Sequence, residues 1–498
     1  MARECSVKSI ISGEAVTYID EIIGQGAMKD VYFSKDKSYV VGFFRTKLDE
    51  ASQNRLLDIV GPYRDRIFNQ PGGEYWKSVF CWPYDIVESD GLWGVVTPVF
   101  QSHFFFDHGS VNEDMLGIRG KEKEGKWFAS GSHQNRFLDP REKGDLLSYL
   151  RICLLISRAV RRLHAAGLAH SDLSYKNVLI DPKGRNACII DIDGLVVPGK
   201  YPPDVIGTPD FIAPEVIISK HLPMEQRVLP SIYTDRHALA VLIYMYLFFR
   251  HPLRGGKVHD MDAALDEEMT MGNKALFIEH PMDKTNRPKL DQIKKSELPY
   301  ADVGALPYTI AGPYLKELFD KAFITGLHDP EKRPTADEWE QALVKTVDFI
   351  QPCSNQNCSH HWFVFDNKFK PVCHYCGTHY EGELPVFTFY SSRDGESFTD
   401  DKHRLMIYHN QYLYKWHVNR LVSPNEKLSD DDKAPLAYFS LHNGKWMMVN
   451  QSIGFLKDID EKKVIKKGEG VYLKDGQRLL LSEETGGRLA YVQIANKK

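Results

Sequence analysis

The chain has 498 residues, enough for about two to four domains. Hydrophobic residues make up 43% and charged residues 26%, an ordinary globular balance. The formal net charge of −4 gives no electrostatic case for nucleic acid or an acidic membrane surface as the main partner. The longest apolar run, 238–249, falls well short of the roughly 20 residues that span a bilayer, and the opening MARECSVKSI holds no apolar signal segment, so a cytoplasmic protein is expected. Cys5, Cys81, Cys153 and Cys188 are scattered, whereas the other four cysteines cluster near residue 360. In a reducing compartment such a cluster points to a metal site rather than to disulfides.

Residues 17–45 read as two or three strands. Tyr18-Ile19-Asp20-Glu21-Ile22-Ile23 leads into Gly24-Gln25-Gly26-Ala27-Met28-Lys29-Asp30-Val31-Tyr32-Phe33, and a further strand of β-branched and aromatic residues runs from Tyr39 to Phe44. A Gly-x-Gly turn between strands lets backbone N–H groups approach phosphates without a Cβ in the way, although the same turn is also an ordinary hairpin connection. Gly42 and Phe44 share one face of their strand. Residues 94–100 read as a strand ending in a hinge, and 101–144 show no clear periodicity, as an insertion would. Leu147, Leu150 and Leu154 recur at spacings of three and four, which predicts a helix from Leu146 to Ala166 stopped by Gly167.

That helix delivers the chain into Leu168-Ala169-His170-Ser171-Asp172-Leu173-Ser174-Tyr175-Lys176-Asn177-Val178-Leu179-Ile180-Asp181. Phosphoryl transfer from ATP needs a carboxylate to accept the acceptor hydroxyl's proton and an amide oxygen to help hold the metal, and an H-x-D-L-x-x-x-N loop places both on one turn. Cys188-Ile189-Ile190-Asp191-Ile192-Asp193-Gly194 follows as an apolar strand ending in acids. A carboxylate there can hold Mg2+ against ATP; Asp191 is the preferred candidate and Asp193 the alternative. Further on come Gly207-Thr208-Pro209-Asp210-Phe211-Ile212-Ala213-Pro214-Glu215, then Asp235 at the head of an apolar helix, then Asp329-Pro330-Glu331-Lys332-Arg333-Pro334-Thr335.

In this order the segments resemble the eukaryotic-like protein kinase family across residues 15–350. The resemblance implies an α+β, two-lobed protein kinase fold with ATP in the cleft. It implies Asp172 as catalytic base, Asn177 and Asp191 as Mg2+ ligands, Gly24 and Gly26 as shapers of the phosphate loop, and Val31 and Leu179 as the residues sandwiching adenine. Asp235 would brace the Asp172 loop, and Arg333 would pair with Glu215. The chain also departs from the family. Lys29 holds the place of the third loop glycine, and Phe44 stands where the strand lysine belongs. The run Ile23 to Tyr32 resembles the With-No-Lysine kinases, whose catalytic lysine lies in the glycine-rich loop, so Lys29 is expected to supply that charge, with Arg45 or Lys47 as alternatives. Glu50 and Asp58 compete as its helical partner carboxylate. Ser171 replaces the arginine that answers an activation-loop phosphate, which implies an enzyme not switched that way. Ser174 replaces a lysine, and Lys176 is the nearest basic substitute.

Cys353-x4-Cys358, then 14 residues, then Cys373-His374-Tyr375-Cys376 is a four-thiolate layout. Zn2+ takes four tetrahedral ligands, and two turn-borne pairs supply them, as in a zinc ribbon; a closed set of this kind is structural. His360, His361 and His374 are expected to be bystanders. From Pro385 short aromatic and β-branched runs predict an all-β sandwich. It is loosely similar to forkhead-associated domains but lacks their Gly-Arg and Ser-x-x-His phosphothreonine ligands. The expected organisation is a kinase domain over 1–350 with an insertion at 101–144, a zinc ribbon over 351–382 and the β module over 383–498. This order resembles bacterial kinases of tellurite-resistance-type stress operons. It implies a protein substrate, a von Willebrand A-type partner protein and a metal-dependent protein phosphatase. Three functions follow: a Ser/Thr protein kinase using ATP and Mg2+; a pseudokinase scaffold, suggested by the missing strand lysine and by Asp193 in the glycine place; and a small-molecule kinase. The run from Gly207 to Glu215 and Arg333 argue against the last.

Overall fold

The computed structural model describes residues 3–26, 28–201, 207–366, 370–395 and 397–496; Ala27 of the glycine-rich turn lies outside the described residues. The chain divides into two compact units. One comprises Met1–Gly144, Arg151–Tyr308 and Glu317–Glu340, the other Asp145–Leu150, Thr309–Lys316 and Gln341–Lys498.

The first unit opens with a seven-stranded antiparallel sheet of β1 (Glu4–Ser9), β2 (Ala15–Ile19), β3 (Ile22–Gln25), β4 (Lys29–Phe33), β5 (Tyr39–Phe44), β6 (Asp85–Ser89) and β7 (Leu92–Pro98). Their order is β2-β1-β6-β7-β5-β4-β3. The single strand expected over 18–23 is therefore broken. Asp20 and Glu21 turn the chain, and β2 and β3 lie at opposite edges. The sheet curls so that Tyr18 of β2 packs 5.3 Å from the rings of both Tyr32 and Phe43. Alternation along β5 sends Phe43 and Phe44 to opposite faces. Phe43 packs with Val41, Val87 and Val96, while Phe44 packs with Ile86, Val95 and Leu56 of helix α1 (Glu50–Asp58).

The helical part of this unit is organised by α2 (Leu146–Ala165), the hairpin of β8 (Val178–Asp181) and β9 (Asn186–Ile189), α3 (Pro214–Ser219) and α4 (Ile232–Phe248). Helix α2 ends as expected, with Gly167 in the left-handed region at φ 79°. Helix α4 starts from a Ser231 cap and is buried almost throughout from Thr234 onward. Its Asp235 is 1% exposed and accepts from His170 N (2.7 Å) and Ser171 N (3.1 Å), as expected of a residue bracing the Asp172 loop. Arg333 makes two 2.7 Å bonds to Glu215 at the head of α3, and it also donates to the carbonyls of Gly326 and Leu327.

The insertion at 101–144 folds into short helical turns despite its lack of periodicity. Its anchor is buried Lys123, whose Nζ lies 3.3 Å from Glu142 and 3.4 Å from Asp181 of β8 and donates to His103 O. Ile180 N also donates to Lys123 O, so the insertion is laced onto β8. In the second unit, α5 (Ala336–Val347) leads into a short hairpin of Ile350–Pro352 with Trp362–Val364, and then into two antiparallel sheets. One has six strands and the other four. Phe387, Phe389, Leu479 and Val492 of the first share a core with Phe439 and Met448 of the second, the sandwich that the alternating runs predict.

Because Arg333 is only 1% exposed, Glu215→Ala leaves its charge without a carboxylate in the interior. Breaking a buried pair in this way costs about 3 kcal/mol or more. Urea unfolding monitored by tryptophan fluorescence should show that loss, and an unchanged midpoint would remove the pair from the fold's supports.

Candidate active site

The β3–β4 hairpin is closed by Gly26 N donating to Lys29 O (2.9 Å), which starts β4 at Lys29. Strand pairing sets Lys29 opposite Phe44 and Val31 opposite Gly42. The lysine stem crosses this neighbouring strand, its Cδ 3.6 Å from where a Cβ on Gly42 would sit. Phe44 is buried beneath it, and Lys29 Nζ stands 5.4 Å from that ring's centre. The ammonium ends 2.5 Å from Asp193 Oδ2 and 3.3 Å from Asp191 Oδ1. Burial alone would lower the Lys29 pKa, but the charges of Asp193 and then Asp191 outweigh it and hold the ammonium above its ordinary range.

The competing cations go elsewhere. Arg45 forks onto Asp30 at 2.7 and 3.0 Å, and Lys47 is exposed against the Gly91 turn. Neither helical carboxylate meets Lys29 in the way the sequence suggests. Glu50 is exposed in the first turn of α1, and Asp58 accepts from Lys200 Nζ (2.5 Å) and Tyr201 OH (3.0 Å). The partners of Lys29 come instead from the loop after β9.

Lys29, Asn177, Asp191 and Asp193 form the polar end of a cavity of about 420 Å³. Gly24, Val31, Val95, Val99 and Ile190 are among its other walls. Gly26 and Leu179, both expected at the nucleotide, are not among them. Gly26 closes the hairpin, and Leu179 is fully buried with Phe104 and Cys188 behind the wall formed by Phe100 and Ile190. Sequence reasoning missed Phe105 and Glu122, which the insertion contributes to this cavity, because nothing in its pattern says where it packs. It also gave no role to Cys81, a wall residue whose thiol is pushed up to about 12 by burial and by Asp193.

Asp172 lies in the adjoining loop. Its Oδ2 accepts from Asn177 Nδ2 (2.9 Å), and its Oδ1 accepts from Thr208 N (2.6 Å) and Thr208 Oγ1 (2.8 Å). Thr208 Oγ1 is also 3.3 Å from Ser174 Oγ. With its nitrogen committed to Asp172, Asn177 keeps its amide oxygen for a cation. Asp191, at φ 60°, has a half-exposed side chain, whereas that of Asp193 is 9% exposed. Asp191 is thus the more open of the two acids to a metal.

In the second unit the four expected cysteines converge, with all four sulfurs within 4.8 Å of one another. Cys353 Sγ lies 3.5 Å from Cys376 Sγ, and Cys358 Sγ 3.8 Å from Cys373 Sγ. Cys373 N donates to Thr378 O and Gly377 N to Cys373 O, forming a tight knuckle. Burial would raise the Cys376 thiol, but Thr378 and the neighbouring cysteines bring it down to about 6. None of the three nearby histidines joins the cluster; His360 stacks flat on Tyr375 at 3.7 Å.

Residues 134–344 match the family model of the protein kinase domain. Among curated proteins, the death-associated protein kinase dapk-1 of Caenorhabditis elegans is 34% identical over 100 residues, 20% of this chain and 6% of that protein. Serine/threonine-protein kinase H1 of Homo sapiens is 36% identical over 103 residues, 20% of this chain and 22% of that one. The chain thus spans less than a quarter of the length of these relatives. A solved rhoptry kinase from Toxoplasma gondii covers 70% of this chain and 84% of its own at 17% identity and a TM-score of 0.40. Residues 134–344 thus carry the likeness to a protein kinase domain, and the chain also holds a β-rich region and a four-cysteine cluster. Among the described residues no helix is long and apolar enough to cross a membrane.

Since the folded-state pKa of Lys29 stands above 10.5, the stabilisation from its pairing is complete below about pH 10 and is lost only as pH climbs through the folded value. Amine-reactive labelling at pH 9, read by peptide mass spectrometry, should therefore modify Lys29 far more slowly than exposed Lys183. Asp193→Asn should speed it. Equal rates in the wild-type protein would contradict the ion pair.

Proposed function

We propose that the protein is a Ser/Thr protein kinase that transfers the γ-phosphoryl of Mg-ATP to a protein hydroxyl. The observation that carries this reading is the meeting of Lys29, Asn177 and Asp191 at the polar end of a largely apolar cavity, beside Asp172. Val31 and its apolar neighbours take the base, and Gly24 lets the backbone come close to the phosphates. Lys29 supplies positive charge to the phosphates. Asn177 and Asp191 hold Mg2+, which when bound neutralises charge on the phosphates. Asp172 receives the proton of the acceptor hydroxyl, and Thr208 and Asn177 orient its carboxylate beforehand.

The four sulfurs suit one Zn2+. A tetrahedron with Zn–S of about 2.3 Å has edges of about 3.8 Å, and the spacings of 3.5 and 3.8 Å match it. Chain organisation follows as a kinase domain over 1–350, a zinc ribbon over 351–382 and a forkhead-associated-like module over 383–498. We extend the reading to a cytoplasmic kinase of bacterial stress signalling, acting with a von Willebrand A-type protein and a metal-dependent phosphatase, on the sequence resemblance in module order. A pseudokinase scaffold is the second reading, favoured by Asp193 in the glycine place and by Thr208 already bonded to Asp172.

Labelled-phosphate transfer separates the two. Asp172→Asn should reduce transfer by about 10²–10⁴-fold while nucleotide binding persists. No transfer by the wild-type protein, to itself or to an operon partner, would sink the enzyme reading. Elemental mass spectrometry should find one zinc per chain, lost in Cys376→Ser; a zinc-free wild-type protein would remove the ribbon.

A further inference from the structure

A second cavity, of about 560 Å³, opens in the first unit on the far side of Tyr175 and Lys176, next to the Asp172 loop. Met245, Phe249 and Ile278, all buried, give it an apolar floor. Part of its rim is Lys126 to His133 of the insertion, which is thereby built into the surroundings of the transfer site. Tyr175 OH donates to Asp210 Oδ2 (3.2 Å), and Asp210 lies two residues beyond Thr208, the partner of Asp172. A polypeptide presenting a hydroxyl to Asp172 therefore has its flanking residues beside this cavity.

The charge around it is one-sided. Five lining side chains are basic, namely Lys126, Lys176, Arg250, Arg254 and Lys289, against the acidic Asp210 and Glu297. Three of the five are already matched. Arg250 is buried on Glu279 at 2.7 Å, Arg254 donates to Asp210 (2.9 Å) and Glu267 (2.7 Å), and Lys126 lies 2.7 Å from Glu124. Lys176 and Lys289 are exposed and have no carboxylate partner among the described residues. Two unmatched ammonium groups over an apolar floor suit a peptide segment that pairs an apolar side chain with an anionic one.

We infer that this cavity is the docking site for an acidic stretch of the protein substrate, with Lys176 and Lys289 receiving a carboxylate or phosphate. The transfer step rests on the kinase reading; the binding does not.

Fluorescence anisotropy on the full chain tests it with three labelled serine peptides, flanked by Leu and Glu, by Leu and phosphoserine, or by Leu and Lys. The acidic peptides should bind about tenfold more tightly than the basic one, and the difference should shrink at high salt. Whichever acidic peptide binds better identifies the anion as carboxylate or phosphate. The Lys176→Glu/Lys289→Glu double variant should lose about tenfold in affinity for them, and the milder Lys289→Gln should lose part of it with an unchanged melting temperature. Equal binding of the basic peptide, or undiminished affinity in the variants, would overturn the assignment. Loss of phosphate transfer with intact peptide discrimination would count against the kinase reading alone.

Discussion

The ion pair of Lys29 with Asp193 and Asp191 is the interaction on which the cleft depends. It joins the glycine-rich hairpin of the sheet to the loop after β9, and so closes the polar end of the cavity. An ammonium at this depth loses water that only ionic partners replace, and two carboxylates this close to one cation repel each other unless it stays between them. The two carboxylates therefore keep the ammonium charged. The arrangement is possible because Phe44 packs into the core beneath the ammonium, while Gly42, on the same strand face, leaves room for the lysine stem to cross.

The Asp172 loop is held by a second set of contacts, which shares Asn177 with the cavity. Buried Asp235 fixes its first two backbone amides, and Thr208 and Asn177 fix the carboxylate itself. Ser171, beside Asp172, carries no charge. Further along the chain, Lys200 and Tyr201 are tied to α1 through Asp58.

What was legible in the sequence was whatever depends on a local pattern or a fixed spacing. The helix leading to Gly167, the loop from His170 to Asn177, the Arg333–Glu215 pair, the four cysteines and the strand-rich end all follow from periodicity or motif. Placing Lys29 in the cleft was also within reach, because the two-residue period of a strand puts Gly42 and Phe44 on one face. What was hidden depends on long-range packing. The break at Asp20 and Glu21 sends two adjacent segments to opposite sheet edges, and no local pattern announces it. Leu179 has the composition of a cavity residue but sits one layer too deep. The insertion's share in both cavities rests on contacts distant in sequence, such as Lys123 to Asp181, Lys126 N to Tyr175 O and Gly131 N to Phe249 O.

The positive charge of the cleft comes from the hairpin lysine and not from the cations that follow β5. This origin is tested most directly by the rate of labelled-phosphate transfer in Lys29→Met measured beside the Arg45→Met and Lys47→Met proteins. The predicted result is a loss of about a hundredfold or more in Lys29→Met alone, as expected for removal of a group acting on developing charge, with the other two near the wild-type rate. Full activity in Lys29→Met, or an equal loss in Arg45→Met, would contradict it.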